Sequence, residues 1–175
     1  VVNIIYKSES FGKELKEKEF LAEDVERLVT NVESQKEKLD IIFKFLQNKM
    51  NWNGDKGYHT DKGVIKAYKD QIGNVAEINF ILINMLKVAG IEANPVLVST
   101  VDNGIPVYPT KTGFNYVIAA AEIDGKQILL DASHKLTSPD ILPLNLLNWK
   151  GRLIKKDGTS QEIDLIPVSL SKEYS

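Results

Sequence analysis

The sequence predicts an α+β fold in which a buried central helix, preceded by other helices, packs on an antiparallel β-sheet. The first observation is the stretch 73–90, which is apolar on several sides of a helix and therefore indicates a helix buried all round. The second is a change after Gly90 from helical spacing to runs of β-branched residues. The third is the dipeptide Asp124-Gly125 between two apolar runs, which is typical of a type I′ hairpin.

The N-terminal part predicts two short charged helices between residues 8 and 33. Their apolar stripe is thin, so we expect them on the outside of the molecule; it comprises Phe11, Leu15, Phe20, Val25, Leu28 and Val29. A capping-box pattern from Ser34 to Glu37 then begins an amphipathic helix that we expect from about Gln35 to Lys49.

A turn-forming stretch at residues 51–57 is expected to hold Trp52 in a loop. Thr60 or Asp61 can cap a short helix that runs through Tyr68. The central helix follows, with a turn and a candidate N-cap at Gly73-Asn74 and with Gly90 as its C′ residue.

The C-terminal half predicts strands. Residues 91–100 form one, and Pro95 within it suggests an edge position or the start of the paired part. Residues 101–113 form a long connection, either bordering a cleft or lying as a plain surface loop. A hairpin spans 114–132, an irregular segment spans 138–147, and a second hairpin spans 151–167 around Asp157-Gly158. We divide the chain into a helical lead-in (1–33), a main domain (34–167) and an outgoing linker (168–175).

The first hairpin carries the residue least expected by chance, Asp131, which interrupts an apolar strand run. With Asp124-Gly125 as the loop, Ile118 faces Asp131 and Tyr116 faces Ser133, so Tyr116 and Asp131 are diagonal neighbours on one face. A carboxyl group in such a run must be paired, hydrogen-bonded or protonated. A purely structural role for Asp131 is also consistent with the pattern.

Composition excludes several classes of function. The 175 residues include 22 basic and 24 acidic ones, a net charge of −2, and no basic run interleaved with aromatics, so we expect no nucleic-acid partner. No apolar run approaches the ~18 residues of a membrane span. The absence of cysteine rules out disulfides, thiolate metal sites and a cysteine nucleophile. We find no nucleotide-binding or serine-hydrolase motif and expect neither a cofactor nor a metal.

Four segments in order resemble the transglutaminase-like superfamily, which shares the papain-like cysteine protease architecture. They are IIFKFLQNKMNWNG, GNVAEINFILINMLKVAGIEANPVLVST, GFNYVIAAAEIDGKQILLDAS and LNWKGRLI. The resemblance covers nearly all of residues 34–154. It implies a papain-like α+β core, and it is greatest to the middle domain of a multidomain subgroup in which this unit lies between two β-rich domains. The start at Val1 rather than at Met fits an excised domain or a processed form.

The resemblance also implies where a catalytic triad would lie. The nucleophilic cysteine position is Val75, the histidine position is Tyr116 in FNYVI, and only the aspartate is matched, by Asp131 in LLDAS. Valine has no nucleophilic atom, and a phenol with a pKa near ~10 is a poor general base at neutral pH. Two of the three positions have therefore lost their chemistry.

Neither histidine offers an evident replacement. His134 follows the end of the paired strand on the opposite parity from Asp131, so we do not expect it to act as a relocated base. His59 is interpreted as a solvent-facing loop residue. We expect Trp52, Tyr58, Tyr68 and Tyr116 near the remnant cleft. Trp52 either caps the core or stacks on a bound sugar or peptide.

The sequence thus predicts a catalytically inactive transglutaminase-like domain that serves a larger, bacterial-type protein as a binding or structural module. Candidate binding residues are Trp52, Asn74, Asn115, Tyr116 and Asp131. The alternative is an active hydrolase or amidase with a non-cysteine mechanism, using Asp131 with Tyr116 or a bound water. We expect flanking β-rich domains as partners, with a peptide or glycan as a candidate ligand. An extracytoplasmic, envelope location is weakly favoured.

Overall fold

The predicted α+β class is confirmed by the computed structural model, which describes residues 9–98, 115–135, 150–155 and 159–164. The helices are α1 (Ala22–Val29), α2 (Gln35–Lys49), α3 (Val64–Asp70) and α4 (Val75–Val88). A π-helical turn (Glu9–Lys13) and two 3-10 turns (Glu14–Lys16 and Glu19–Leu21) precede them. Within the described ranges, no helix is both long and apolar enough to cross a bilayer.

The described strands form two sheets. Strands β1 (Asn51–Trp52) and β2 (Ile72–Gly73) make a short parallel pair. The larger antiparallel sheet has the order β5-β4-β3-β6-β7. Its strands are β3 (Glu92–Val98), β4 (Tyr116–Ile123), β5 (Lys126–Leu130), β6 (Lys150–Ile154) and β7 (Ser160–Asp164).

The central helix is α4, and it lies where the sequence predicts it. Every residue from Val75 to Leu86 is buried. This includes the polar residues Glu77, Asn79 and Asn84. Asn74 caps the helix, because its side chain accepts the Glu77 N–H at 2.8 Å while the Glu77 carboxylate accepts the Asn74 N–H at 2.9 Å. This reciprocal capping box satisfies two N–H groups at the helix start.

The N-terminal segment is not peripheral, so the expectation that it lies on the outside is wrong. Phe11, Leu15, Leu21 and Val25 are buried in the same core as α4. The Phe11 ring packs edge-on against Phe80 of α4, with 5.0 Å between the ring centroids. Irregular turns replace the first predicted helix, whereas the second is present as α1 and carries Val25. The stripe looked thin because the sequence does not show which face of α4 it covers. The division at residue 33 stays a prediction.

The short helix α3 lacks the predicted cap at Thr60 or Asp61. Its N-cap is Gly63, which has no side chain to offer. Three successive N–H groups before the helix donate instead to one oxygen of Glu77 on α4. They belong to Asp61, Lys62 and Gly63, at 3.1, 2.7 and 2.9 Å. The first N–H group of α3 donates to the Glu14 carboxylate at 2.6 Å. The start of α3 is therefore stabilised by carboxylates from other elements.

Pro95 lies in the middle of the sheet, so an edge position is wrong. Strand β3 pairs with β4 along its whole length and with β6 on its other side. The pairing with β6 begins at Val96, directly after the proline. Because proline has no N–H to donate, the second ladder can begin only beyond it. Pro95 thus marks the start of the pairing with β6 alone, since the pairing with β4 begins three residues earlier, at Glu92.

Both predicted hairpins are present. Asp124 and Gly125 have φ values of 53° and 76°, as a type I′ turn requires, and Ile123 pairs with Lys126. Strands β6 and β7 form the second hairpin, with Ile154 opposite Ser160. The predicted long connection (101–113), irregular segment (138–147) and linker (168–175) lie outside the described residues.

Candidate functional site

The start of helix α4 is closed around Val75. Val75 is the first residue of the helix and is fully buried. Its N–H group donates to the carbonyl of Asp55 at 3.2 Å, and the Glu77 N–H donates to Asn74. These N–H groups, which would face a reacting group at a helix start, already have partners within the chain.

Asn79 links helix α4 to Asp131 and to the strand that carries Tyr116. Asn79 lies one turn after Val75 on the same side of α4, because residues four apart are neighbours on a helix. Its amide donates to the Asp131 carboxylate at 3.0 Å and to the Val117 carbonyl at 2.9 Å. Val117 directly follows Tyr116, whose hydroxyl donates to Asp131 at 2.6 Å. Tyr116 and Asp131 are therefore in direct contact, and Val75 lies one helical turn before the asparagine that binds Asp131.

The Asp131 carboxylate is fully buried and strongly hydrogen-bonded. Its Oδ1 accepts the Asn79 amide and both the N–H and the hydroxyl of Ser133, at 3.0, 3.0 and 2.6 Å. Its Oδ2 accepts the Tyr116 hydroxyl and lies 3.4 Å from His134 Nδ1. Burial alone would raise the pKa of Asp131, but these hydrogen bonds outweigh it and hold the pKa below its ordinary value. The group is held as a carboxylate.

The pKa of Tyr116 shifts in the opposite direction to that of Asp131. Burial, followed by the negative charge of Asp131 and the hydrogen bond to it, raises the pKa of the Tyr116 phenol far above its ordinary value. The phenol therefore stays protonated and acts as a hydrogen-bond donor. A group that does not release its proton at neutral pH cannot serve as a general base there.

His134 joins this cluster, which the parity argument from the sequence excluded wrongly. Its Nδ1 lies 3.1 Å from the Ser133 hydroxyl and 3.3 Å from the Tyr116 hydroxyl. The chain bends after β5, because the Asp131 carboxylate accepts the Ser133 N–H two residues on, and strand parity no longer applies beyond the bend. An Asp-X-Ser sequence at a strand end was the signal that could have revealed this bend.

The segment carrying His134 is also tied to the end of α2. Gln47 donates to the His134 carbonyl at 2.7 Å, and the Lys135 ammonium donates to the carbonyls of Gln47 and Met50. A lysine at these last carbonyls stabilises the C-terminal end of a helix. The cluster is therefore fixed from both sides.

Ser133, His134 and Asp131 do not form a serine-protease-like triad. In such a triad the imidazole bridges serine and aspartate with its two different nitrogens. Here one nitrogen, Nδ1, faces both oxygens, and the Ser133 hydroxyl lies 2.6 Å from Asp131, to which it donates. The His134 imidazole therefore does not bridge Ser133 and Asp131 as the imidazole of such a triad does.

The predicted binding residues divide into those within the cluster and those beside it. Tyr116 and Asp131 form its centre and are fully buried. Asn74 is a buried helix cap whose amide donates to the His59 carbonyl at 3.0 Å. The N–H group of Asn115 donates to the carbonyl of Val98 at 3.1 Å. Asn74 thus has a structural role at the helix start.

Trp52 lies at the rim of the cluster and packs against the hydrophobic core, as one of the two predicted alternatives requires. It is part of β1, not of a loop, and is half-buried. Its indole N–H donates to the Asp55 carbonyl at 2.8 Å, and its ring lies over His134 with 5.3 Å between the centroids. Tyr58 is buried beside His59, which is half-buried rather than solvent-facing.

Tyr68 does not border the cluster. Its hydroxyl donates to Asp24 at 2.5 Å, and its ring packs against Phe20. Tyr68 faces the N-terminal segment because that segment covers the core, which the sequence did not reveal.

The space beside Val75 and Tyr116 is filled by the side chains of the site itself. Val75, Asn79, Tyr116 and Asp131 each have 0% of their surface exposed, and Ser133 has 5%. Only the His134 ring, about 29% exposed, reaches the surface from this cluster. In the described part of the chain, no group of three histidine or acidic residues could hold a metal ion. These buried groups hold β4 to the bend after β5, and they are not accessible to a substrate.

Comparison with solved structures gives two likenesses over almost the whole chain. A candidate protease from Parabacteroides distasonis matches with a TM-score of 0.67 and 21% identity, covering 95% of this chain and 31% of that one. A candidate cysteine protease from Cytophaga hutchinsonii matches with a TM-score of 0.55 and 14% identity, covering 93% and 53%. A TGase structure aligns at a TM-score of 0.49 and 11% identity, covering 71% and 32%. No protein-family model matches the sequence, and no curated protein matches it significantly.

The first two likenesses show the fold alone, an α+β fold that this chain shares with the two protease structures and that agrees with the architecture predicted from the sequence. The chain spans about a third of the first structure and about half of the second. The absence of cysteine from the chain agrees with the replacement of the nucleophile by valine.

Proposed function

We propose that this chain is a catalytically inactive transglutaminase-like domain that serves a longer protein as a structural module. The observation that carries the proposal is the hydrogen bond from Tyr116 to Asp131, 2.6 Å long, between two fully buried groups beside Val75. A phenol and a carboxylate occupy the place of an imidazole and its carboxylate, without a thiol to activate. The former reaction centre then holds β4 to the segment after β5.

Chemistry supports this interpretation. Thiol hydrolysis and transfer need a thiolate, and a neighbouring base activates that thiol. Neither group is present, because the chain has no cysteine and the Tyr116 phenol keeps its proton. The alternative of an active hydrolase with a non-cysteine mechanism needs substrate or water beside Asp131. Its full burial and complete set of donors argue against that alternative.

A structural role fits a chain that corresponds to only part of its structural neighbours. The chain covers 31% and 53% of the two structures that match almost all of it. We propose that it packs between β-rich domains of the same protein. A peptide or glycan ligand would have to bind at the rim, where Trp52 and His134 keep some exposure.

Activity measurements test the loss of catalysis. We expect the native chain to show neither peptidase activity nor amine incorporation into glutamine peptides. Turnover that disappears in Asp131→Ala would overturn the proposal. The converse test compares two variants that both carry a thiol at position 75. In Val75→Cys/Tyr116→His the pKa of this thiol should lie below the ordinary ~8.5, whereas in Val75→Cys alone it should not be lowered. Rates of alkylation by iodoacetamide across pH measure this difference.

A thermal-shift screen tests the structural role against a binding role. A ligand present at 100 times its dissociation constant should stabilise the fold by about 2.7 kcal/mol. We expect no shift with peptides or glycans. A shift that is lost in Trp52→Ala would instead show that the rim binds a ligand.

A further inference from the structure

A cleft of about 830 Å³ opens at the far end of α4 from Val75. Its walls include Lys16, Lys18, Lys87, Lys155 and Asn94, together with the chain around Gly90 that joins α4 to β3. Helix α4 has 14 residues, so about 20 Å of helix separates this cleft from the Tyr116 cluster. The cleft is therefore a separate feature of the fold.

Positive charge is concentrated in this cleft. Among the described residues that line it, four are lysines and one, Glu92, carries a carboxylate, although the whole chain has a net charge of −2. Lys16, Lys18 and Lys155 form no ion pair with any residue in the described ranges. Like charges in a concave surface repel one another and attract anions from solution.

The helix dipole does not account for this arrangement. A basic residue in the last turn of a helix stabilises its C-terminal carbonyls, and Lys87 occupies that place in α4. Lys16 and Lys18 come from the N-terminal turns, and Lys155 follows β6. Three distant parts of the chain thus bring lysines to one cleft.

Asn94 supplies an independent observation. It lies on β3, is only 9% exposed and lines the cleft. Its side-chain amide makes no hydrogen bond to any described residue. Because its amide atoms are not buried, they face the space of the cleft, where the amide N–H groups can donate to an anionic ligand. Among the lining residues, Asn94 is therefore placed to orient a ligand that the lysines attract.

We propose that this cleft binds a small organic or inorganic anion carrying at least two carboxylate or phosphate groups. The volume lies within the range of about 300–1,000 Å³ found for small-molecule sites. The separated lysines suit a ligand with more than one anionic group, because a lysine ammonium binds an oxyanion as a point charge. The inference does not depend on the proposed loss of catalysis at the other end of α4.

Amide NMR spectra of the full chain, recorded during titration at constant ionic strength, test this binding. Citrate is the carboxylate probe and pyrophosphate is the phosphate probe. We expect saturable shifts at Lys16, Gly90 and Asn94 with one or both anions, and the tighter of the two identifies the preferred group. If neither anion shifts these amides at up to about 10 mM, ten times a millimolar dissociation constant, the proposal is wrong.

A pair of matched variants separates a specific site from general attraction. Lys16→Gln/Lys18→Gln removes two cleft lysines, while Lys44→Gln/Lys69→Gln removes two exposed lysines of α2 and α3. The cleft variant should bind at least about tenfold more weakly, because two of the ammonium groups that attract the anion are lost. Asn94→Ala should also weaken binding. Equal weakening in the two double variants would overturn the proposal.

Discussion

Replacing Tyr116 by phenylalanine measures what the closed site contributes to stability. The substitution removes one hydroxyl and leaves the ring in place. Asp131 Oδ2 loses the donor at 2.6 Å, and Ser133 loses a contact at 2.9 Å. Hydrogen bonds to charged groups contribute about 1.5–3 kcal/mol, and this carboxylate has no access to water to replace the bond. We expect a loss of about 2–3 kcal/mol at pH 7.

Equilibrium urea unfolding of the full chain measures this loss, with fluorescence and circular dichroism as probes. Thermal unfolding gives a second measure. For a domain of this size, each 1 kcal/mol corresponds to about 2–4 °C in Tm, so we expect the Tm to fall by about 4–12 °C. The matched control is Tyr68→Phe, which removes a hydroxyl from Asp24. That carboxylate is about 25% exposed and pairs with Arg27. Water can replace the lost bond there, and we expect a smaller loss, about 1 kcal/mol or less.

The result that would refute this reasoning is a Tyr116→Phe variant as stable as the native chain. It would mean that Asp131 is already satisfied by Asn79 and Ser133, or that water reaches it. A loss equal to that of Tyr68→Phe would mean that burial of the carboxylate adds nothing.

Three further predictions concern pH and the capping carboxylate. Because the pKa of Asp131 is lowered in the folded state, its stabilisation is present above its unfolded pKa of 3.8 and is lost as pH falls through the folded pKa. Urea unfolding of Asp131→Asn should thus depend less on pH below 4 than that of the native chain. Glu77→Gln should lower the free energy of unfolding by about 2–4 kcal/mol, because the Glu77 carboxylate accepts hydrogen bonds from four N–H groups that precede α3 and α4. Hydrogen exchange should rise first at residues 61–63, whose N–H groups lose this acceptor. Gly73→Ala should cost about 1–3 kcal/mol in urea unfolding, because a Cβ there would lie 3.0 Å from the Glu77 Cβ and 3.2 Å from the Ala67 Cβ; an unchanged stability would show that Glu77 can shift.

Local patterns sufficed for the elements whose partners lie nearby in sequence. The extent of α4, its cap at Asn74 and the turn at Asp124-Gly125 follow from spacing and from residue chemistry over a few positions. The resemblance of four segments supplied the fold. The diagonal contact of Tyr116 with Asp131 follows from the hairpin register, and the observed hydrogen bond agrees with it.

The long-range contacts were decided by packing. Glu77 reads as an ordinary first-turn acid, yet it holds the start of α3, because β1 and β2 bring that segment beside α4. Phe11 reads as part of a thin stripe, yet it reaches Phe80 in the core. Strand β3, which contains Pro95, is a central strand only because β6, more than 50 residues later, pairs with its second edge.

What the sequence by itself determined is a chemical absence and a scaffold: without cysteine there is no thiol at position 75, whatever the fold. What only the tertiary structure decided is the fate of the space around that position. Closure depends on how side chains from α4, β4 and the bend after β5 fill one volume, and His134 enters it through a hydrogen-bonded turn that strand parity does not describe. Packing of this kind is a property of distances between elements, which no local pattern contains.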